Sequence, residues 1–370
     1  MATEGPFSNV TDTTAAAPTE HLSGHGAVFY QCFTSESSSA LNTSASRIPS
    51  IEEIIAANDV ASRANYCYMF CAVLGLASGL FLFYSFSKSY RARRNWTWLD
   101  SLLCGLSVSE FIILLCSLSS LAHRPDCLKT TNLNCTLLSF LFNVAFFSGQ
   151  LLLVLMGFFL TFDQDPPRSP LLQRARDRPA ACVALTTALS LLSSALLAGL
   201  LGARQRPHDV ADCRLDPRQD GDGYEATKLL LGFILPNLLL LALLAAGCAV
   251  WGRSNGGFLS RLKAFPAFLA VALVTFVCRF FYSCVLMKRV GLPPRPGQEA
   301  LLTVAEFVLF SGSCASLVLV LLLHAPCRES LQTAARHLGD CCRRVGSRDT
   351  NRHIMVPRIE ITDTEQNYDQ

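Results

Sequence analysis

The sequence predicts an all-α membrane protein: a seven-transmembrane helix bundle followed by a short C-terminal amphipathic helix on the membrane surface. Three observations carry this expectation. Of 370 residues, 51% are hydrophobic and only 16% are charged, where an ordinary soluble domain carries about 25% charge. Seven runs reach the roughly 20 apolar residues that a spanning helix needs. With the N-terminus placed outside, the basic residues of the connecting loops gather mostly inside.

The first 64 residues are rich in Ser, Thr, Ala and Pro and lack apolar periodicity. They read as a disordered extracellular segment, glycosylated at the sequons Asn9-Val10-Thr11 and Asn42-Thr43-Ser44. No signal peptide is expected, since the first apolar run starts near residue 65, and the first helix then serves as its own insertion signal. The spans follow as Asn65–Phe86, Trp98–Leu121, Leu137–Phe162, Ala180–Gly202, Ala226–Trp251, Ala264–Met287 and Leu301–His324. Proline and glycine inside them are tolerated in a membrane helix. Residues 325–342 form the amphipathic helix with a cysteine pair, and 343–370 a disordered cytoplasmic tail.

Loop charges set the orientation. The inner loops hold Lys88, Arg91, Arg93 and Arg94, then Arg168, Arg174, Arg176 and Arg178, then Arg253, Arg261 and Lys263. The outer loop between spans four and five also carries Arg204, Arg206, Arg214 and Arg218, so the bias is moderate. In this orientation the sequon at Asn95 faces inward and is unused, and that at Asn134 faces outward, close to the membrane. A net charge of +3 is too mild for nucleic-acid binding.

Most of the 16 cysteines fall inside apolar runs, where they serve as small buried hydrophobes. Cys135 begins span three on the outer side, and Cys213 lies in the outer loop after span four. Both sit in an oxidising compartment where a bridge can form and persist; two free thiols are the alternative. Cys32 and Cys127 are also outside, with a second bridge or two thiols equally open.

Seven spans, an outer N-terminus and this cysteine pair resemble the rhodopsin-like (class A) G-protein-coupled receptors, over residues 60–345. Span two carries Leu106-Ser107-Val108-Ser109-Glu110, similar to the family's Leu-Ala-x-Ala-Asp. Span five carries Phe233-Ile234-Leu235-Pro236, the family's Phe-x-x-Pro. Pro236 lacks an N–H and so loosens its helix. Span six keeps Cys278 but has Arg279-Phe280-Phe281 after it, without the family's aromatic and proline. Span seven has Ser313 to Val320 in place of Asn-Pro-x-x-Tyr, and span four lacks the family's tryptophan.

At the inner end of span three, Asp163-Gln164-Asp165 resembles the surroundings of the family's Asp-Arg-Tyr, with Gln164 on the arginine. An arginine there bonds the neighbouring acid and, after activation, the G protein; Gln164 is neutral and shorter. The alternative is that Pro166 and Pro167 simply stop the helix here. After span seven, Leu331, Ala334, Ala335 and Leu338 share one helical face, and Cys341 and Cys342 follow. The resemblance implies a surface helix ending in palmitoylated cysteines, the alternative being two plain thiols.

The resemblance further implies a plasma-membrane receptor for an unidentified extracellular ligand. It would transduce by helix rearrangement to a heterotrimeric G protein, with arrestin docking and pairing with another receptor as further contacts. No cofactor is expected.

Ionisable groups within spans are expensive and therefore informative. Glu110 lies in mid-membrane, at the position where the family holds a sodium ion; here a neutral or water-bonded carboxyl is the favoured reading. Arg279 and Glu306 lie at similar depth on spans six and seven, which predicts an ion pair between them, either an activation lock or a structural tie.

Other functions fit less well. A membrane metal hydrolase needs several intramembrane donors, and none of the seven histidines lies deep in a span. No Gly-x-Ser-x-Gly occurs, so an enzyme is not expected. A transporter would show internal repeats and broken helices, and no repeat is evident. The closest rival is a protein of receptor architecture that does not activate G proteins, because the Arg, the Trp-x-Pro and the Asn-Pro-x-x-Tyr equivalents are absent.

Overall fold

The computed structural model describes residues 50–93, 97–122, 129–162, 170–202, 210–212, 223–251, 257–288 and 296–350. Among them are seven helices long and apolar enough to cross a membrane, the composition of a multi-pass membrane protein. They run Ile51–Arg93, Trp98–Ala122, Asn132–Phe162, Pro179–Gly202, Gly223–Trp251, Pro266–Lys288 and Pro296–Leu323, and are called spans one to seven below. Two short helices, Pro170–Asp177 and Gly257–Ala264, precede spans four and six. A long helix, Ala325–Thr350, follows span seven.

Span three is the most enclosed of the seven and span five the least. Span three packs against spans two, four and five, while span one lies along span seven and span six along span seven on its other side. Such packing gains little from hydrophobic burial, since lipid is as apolar as leucine. Close van der Waals contact and buried polar bonds drive it instead. Glycines permit that closeness at several crossings, two of which bear on the site. A Cβ at Gly312 would lie 2.8 Å from Cys278 Sγ, and one at Gly232 would lie 2.7 Å from the ring of Phe146.

Span one starts at Ile51, well before the apolar run at Asn65, so residues 51–64 are helical and not part of a disordered segment. The cause is a polar signal. Ser50 caps the helix by accepting from the Glu53 N–H at 3.3 Å, and Glu52 and Glu53 sit in the first turn, where negative charge favours the helix dipole. At 43 residues the helix is roughly 65 Å long, about twice the hydrocarbon thickness. The helix after span seven likewise continues to Thr350, past the expected limit at residue 342.

One element departs from the all-helical expectation. Lys129–Thr131 (β1) pairs antiparallel with Val210–Asp212 (β2), in the register Lys129 to Asp212 and Thr131 to Val210. This ribbon ties the lead into span three to the segment between spans four and five. It marks one end of the bundle, here the strand end; the helix Ala325–Thr350 marks the other, the tail end.

In span five, the backbone forms a π turn over Leu230–Ile234, with the Leu235 N–H bonded to the Leu230 carbonyl. Pro236 follows directly and cannot donate, so the ladder must adjust locally. One residue on, Asn237 Nδ2 donates to the Phe233 carbonyl at 2.7 Å. The loosening expected at Pro236 therefore takes the form of one wide turn.

Candidate intramembrane site

Span three presents Phe142, Phe146 and Gly149 on one face by four- and three-residue steps. All point into the bundle, where spans two, five and six contribute polar groups. From span two comes Glu110, 3% exposed, and from span six Arg279, 1% exposed. Arg279 Nη2 lies 3.4 Å from Glu110 Oε1. Its Nη1 donates to the Phe146 carbonyl at 2.6 Å, and its Cζ stands 4.1 Å above the Phe146 ring.

The pairing differs from the expectation in both partners. Arg279 reaches Glu110, a partner other than the Glu306 expected from sequence. Equal depth fixes only height in the membrane, whereas the direction in which a side chain leaves its helix decides what it meets. Arg279 leaves span six toward spans two and three. Glu110, read from sequence as a neutral or water-bonded carboxyl, instead faces a guanidinium that is always charged. Glu306 is itself buried on span seven, 9% exposed.

The contact to Glu110 is long for a charge-assisted hydrogen bond, and the carbonyl contact is short. Arg279 is thus held chiefly by the backbone and ring of Phe146, with Glu110 supplying the counter-charge. Gly149 makes the space: a Cβ there would lie 3.1 Å from Arg279 Nη2 and 3.2 Å from Glu110 Oε1.

One turn nearer the strand end lies a second buried cation, which the sequence reading did not single out. Lys228 of span five is 2% exposed. Its ammonium stands 4.9 Å from the ring centre of Phe142, 5.4 Å from Tyr282, 5.6 Å from Phe146 and 5.9 Å from Tyr224. It donates to the Tyr282 hydroxyl at 3.3 Å. Aromatic faces attract a cation within about 6 Å, the more so where water is excluded. Asn143 Nδ2 donates to the Tyr224 hydroxyl at 3.3 Å and extends the network toward the strand end. Phe146 therefore meets both cations. The clue in the sequence was Tyr224/Lys228 and Arg279/Tyr282 at helical spacing.

Two further polar joints lie outside this centre. Tyr68 of span one bonds Ser117 of span two through its hydroxyl and stacks on Phe307 of span seven, with ring centres 5.3 Å apart. At the tail end, Thr97 and Asp100 cap span two reciprocally at 3.2 Å each. His324 Nε2, just after span seven, lies 2.9 Å from Asp100 Oδ1, an ion-pair distance at an angle poor for a hydrogen bond.

The other residues named from sequence divide as follows. Phe233 packs on Phe276 and Phe280 of span six, ring centres 5.6 and 5.8 Å apart. Cys278 forms the tight contact with Gly312. Asn9, Cys32, Asn42, Cys127, Asp163, Gln164 and Cys213 lie outside the described residues. For Cys135, Cys341 and Cys342 the helical backbone is described and the side chain is not, so neither disulfide is described. Among the described residues, no cluster of His, Cys, Asp or Glu could hold a metal ion. No protein-family model and no curated protein matches the chain.

Proposed function

We propose that this protein is a seven-span receptor of the rhodopsin-like kind. Its strand end faces an extracellular ligand and its tail end faces a heterotrimeric G protein at the plasma membrane. The observation that supports this best is the buried polar path from Tyr224 and Lys228, through Phe146, to Arg279 and Glu110. Charged groups inside a bilayer are costly and mark functional paths by default. This path joins spans two, three, five and six, so a displacement of span five at the strand end is felt by span six. The π turn before Pro236 gives span five a place to yield.

A second reading is a protein of the same architecture that binds ligand, or pairs with another receptor, without activating G proteins. It is favoured by Arg279, which stands where the family has an aromatic residue and ties span six to span two, and by Gln164 where the family has arginine. G-protein activation in cells, at matched surface levels of the native chain and Gln164→Arg, separates the two. Basal activity of the native chain above mock cells supports the coupled receptor. Activity of Gln164→Arg alone assigns a silenced switch, and silence of both favours the non-signalling reading.

A further inference from the structure

Arg279 occupies the middle of span six, yet its contacts lie on other helices: the carboxylate of Glu110 on span two, and the carbonyl and ring of Phe146 on span three. We propose that Arg279 is a latch, holding span six closed against spans two and three until its guanidinium is released from Phe146 and Glu110. This goes beyond the receptor reading, because it describes the motion of a helix and holds whether or not a G protein follows.

Three observations point to a latch and not a simple tie. First, the bond to Glu110 is long at 3.4 Å, so the counter-charge is held loosely while the directional bond goes to a backbone carbonyl. Such a set separates as one step when span six moves, since ring, carbonyl and carboxylate all belong to other helices and meet the same guanidinium. Second, Gly149 gives the pair room that any other residue would fill. Third, the Phe146 ring under Arg279 also faces Lys228, and Lys228 bonds Tyr282, which lies three residues beyond Arg279 on span six. A movement of Lys228 at the strand end therefore changes the support of the latch at two points.

The charged and polar groups around the pair are consistent with release and recapture. Ser107 bonds the Leu103 carbonyl of its own helix and does not engage Arg279. No cation other than Lys228 shares the Phe146 ring among the described residues. An opened guanidinium would keep its charge and would be drawn back to Glu110, which makes the latch reversible.

The test uses the full chain in lipid nanodiscs and reads hydrogen exchange along each span, beside thermal unfolding to establish the fold. The variants are Arg279→Gln, Glu110→Gln and the double variant Glu110→Gln/Arg279→Met. The double variant leaves no buried charge unpaired, so it retains its fold even where the single changes do not. The latch predicts that exchange in the tail-end half of span six, from Pro266 to Thr275, rises roughly tenfold in the double variant and in each folded single variant. Exchange in spans two and three stays near the native level. The proposal is overturned if the folded double variant protects span six as the native chain does. It is equally overturned if exchange rises alike in all spans, which is the mark of a general structural tie. G-protein activity enters neither outcome, so absence of coupling leaves the result readable.

Discussion

Glu110 and Arg279, 169 residues apart in sequence, face each other across 3.4 Å in the middle of the bundle, both almost fully buried. A buried pair of this kind is weak support for stability as a pair, because desolvation offsets the attraction, yet removing one partner strands the other charge. Arg279→Met and Glu110→Leu are each expected to cost about 3–5 kcal/mol. The double substitution should cost much less than their sum. A double-mutant cycle on thermal unfolding checks this, and additive losses would show that the two groups do not interact.

Gly149 supplies the room for that pair. Alanine at this position would meet the ends of two side chains at 3.1 and 3.2 Å, which can give by a few tenths of an ångström. Valine adds two methyl groups and cannot be relieved so easily. We expect Gly149→Ala to be nearly tolerated and Gly149→Val to destabilise by about 1–3 kcal/mol, the usual cost of overpacking. Combined with Glu110→Gln/Arg279→Met, the valine penalty should change, since its two neighbours are altered. An unchanged penalty would mean that the glycine serves helix packing elsewhere.

Lys228 sits among four aromatic rings and bonds Tyr282. Lys228→Met keeps much of the chain length and removes the charge. Tyr282→Phe keeps the ring and removes only the acceptor. The second change should cost about 1 kcal/mol, and the first more, because cation–ring attraction is lost as well. Equal costs for the two variants in thermal unfolding would reduce the contribution of Lys228 to its hydrogen bond with Tyr282.

The spans themselves were legible because a run of apolar residues long enough to cross lipid has few other uses, and all seven fall where hydropathy puts them. The start of span one was not found that way, since its first turns are polar and the signal is Ser50 with Glu53. The ribbon was illegible: three residues per strand carry almost no pattern, and their pairing joins Lys129 to Asp212 across two spans. Within the site, Glu110 and Arg279 stood out as charges in apolar runs. Their pairing did not, because sequence gives depth along a helix and leaves the facing of each helix open. Lys228 was missed since it lies near a span boundary, where a lysine ordinarily reaches the interface.

His324 and Asp100 join the end of span seven to the head of span two, and the ring of Phe86 lies 5.9 Å from the imidazole. His324→Ala should therefore loosen the tail end alone. Hydrogen exchange is expected to rise in the first turn of span two and at the start of the helix Ala325–Thr350, with Tyr68 and its neighbours in spans one and seven unaffected. A rise spread evenly over the bundle would show that this joint bears on the whole fold.

Cys327 lies in the first turn of that same helix, 1% exposed. Burial, with Asp100 and Cys104 nearby, pushes its thiol up from 9.0 to about 12. The sign of the consequence follows from proton counting. Below the ordinary thiol value, the folded and unfolded chains both keep the proton, and the site adds no pH dependence. Between about 9 and 12 the unfolded chain releases it while the folded chain does not. Stability then falls as pH rises, by up to about 1.4 kcal/mol per unit for one group. Between pH 8 and pH 10, the native chain should lose stability more steeply than Cys327→Ala, and a small alkylating reagent at pH 8 should label Cys327 only after unfolding. Parallel pH profiles for the two chains, or rapid labelling of the folded protein, would place Cys327 in contact with water and remove the basis for its raised value.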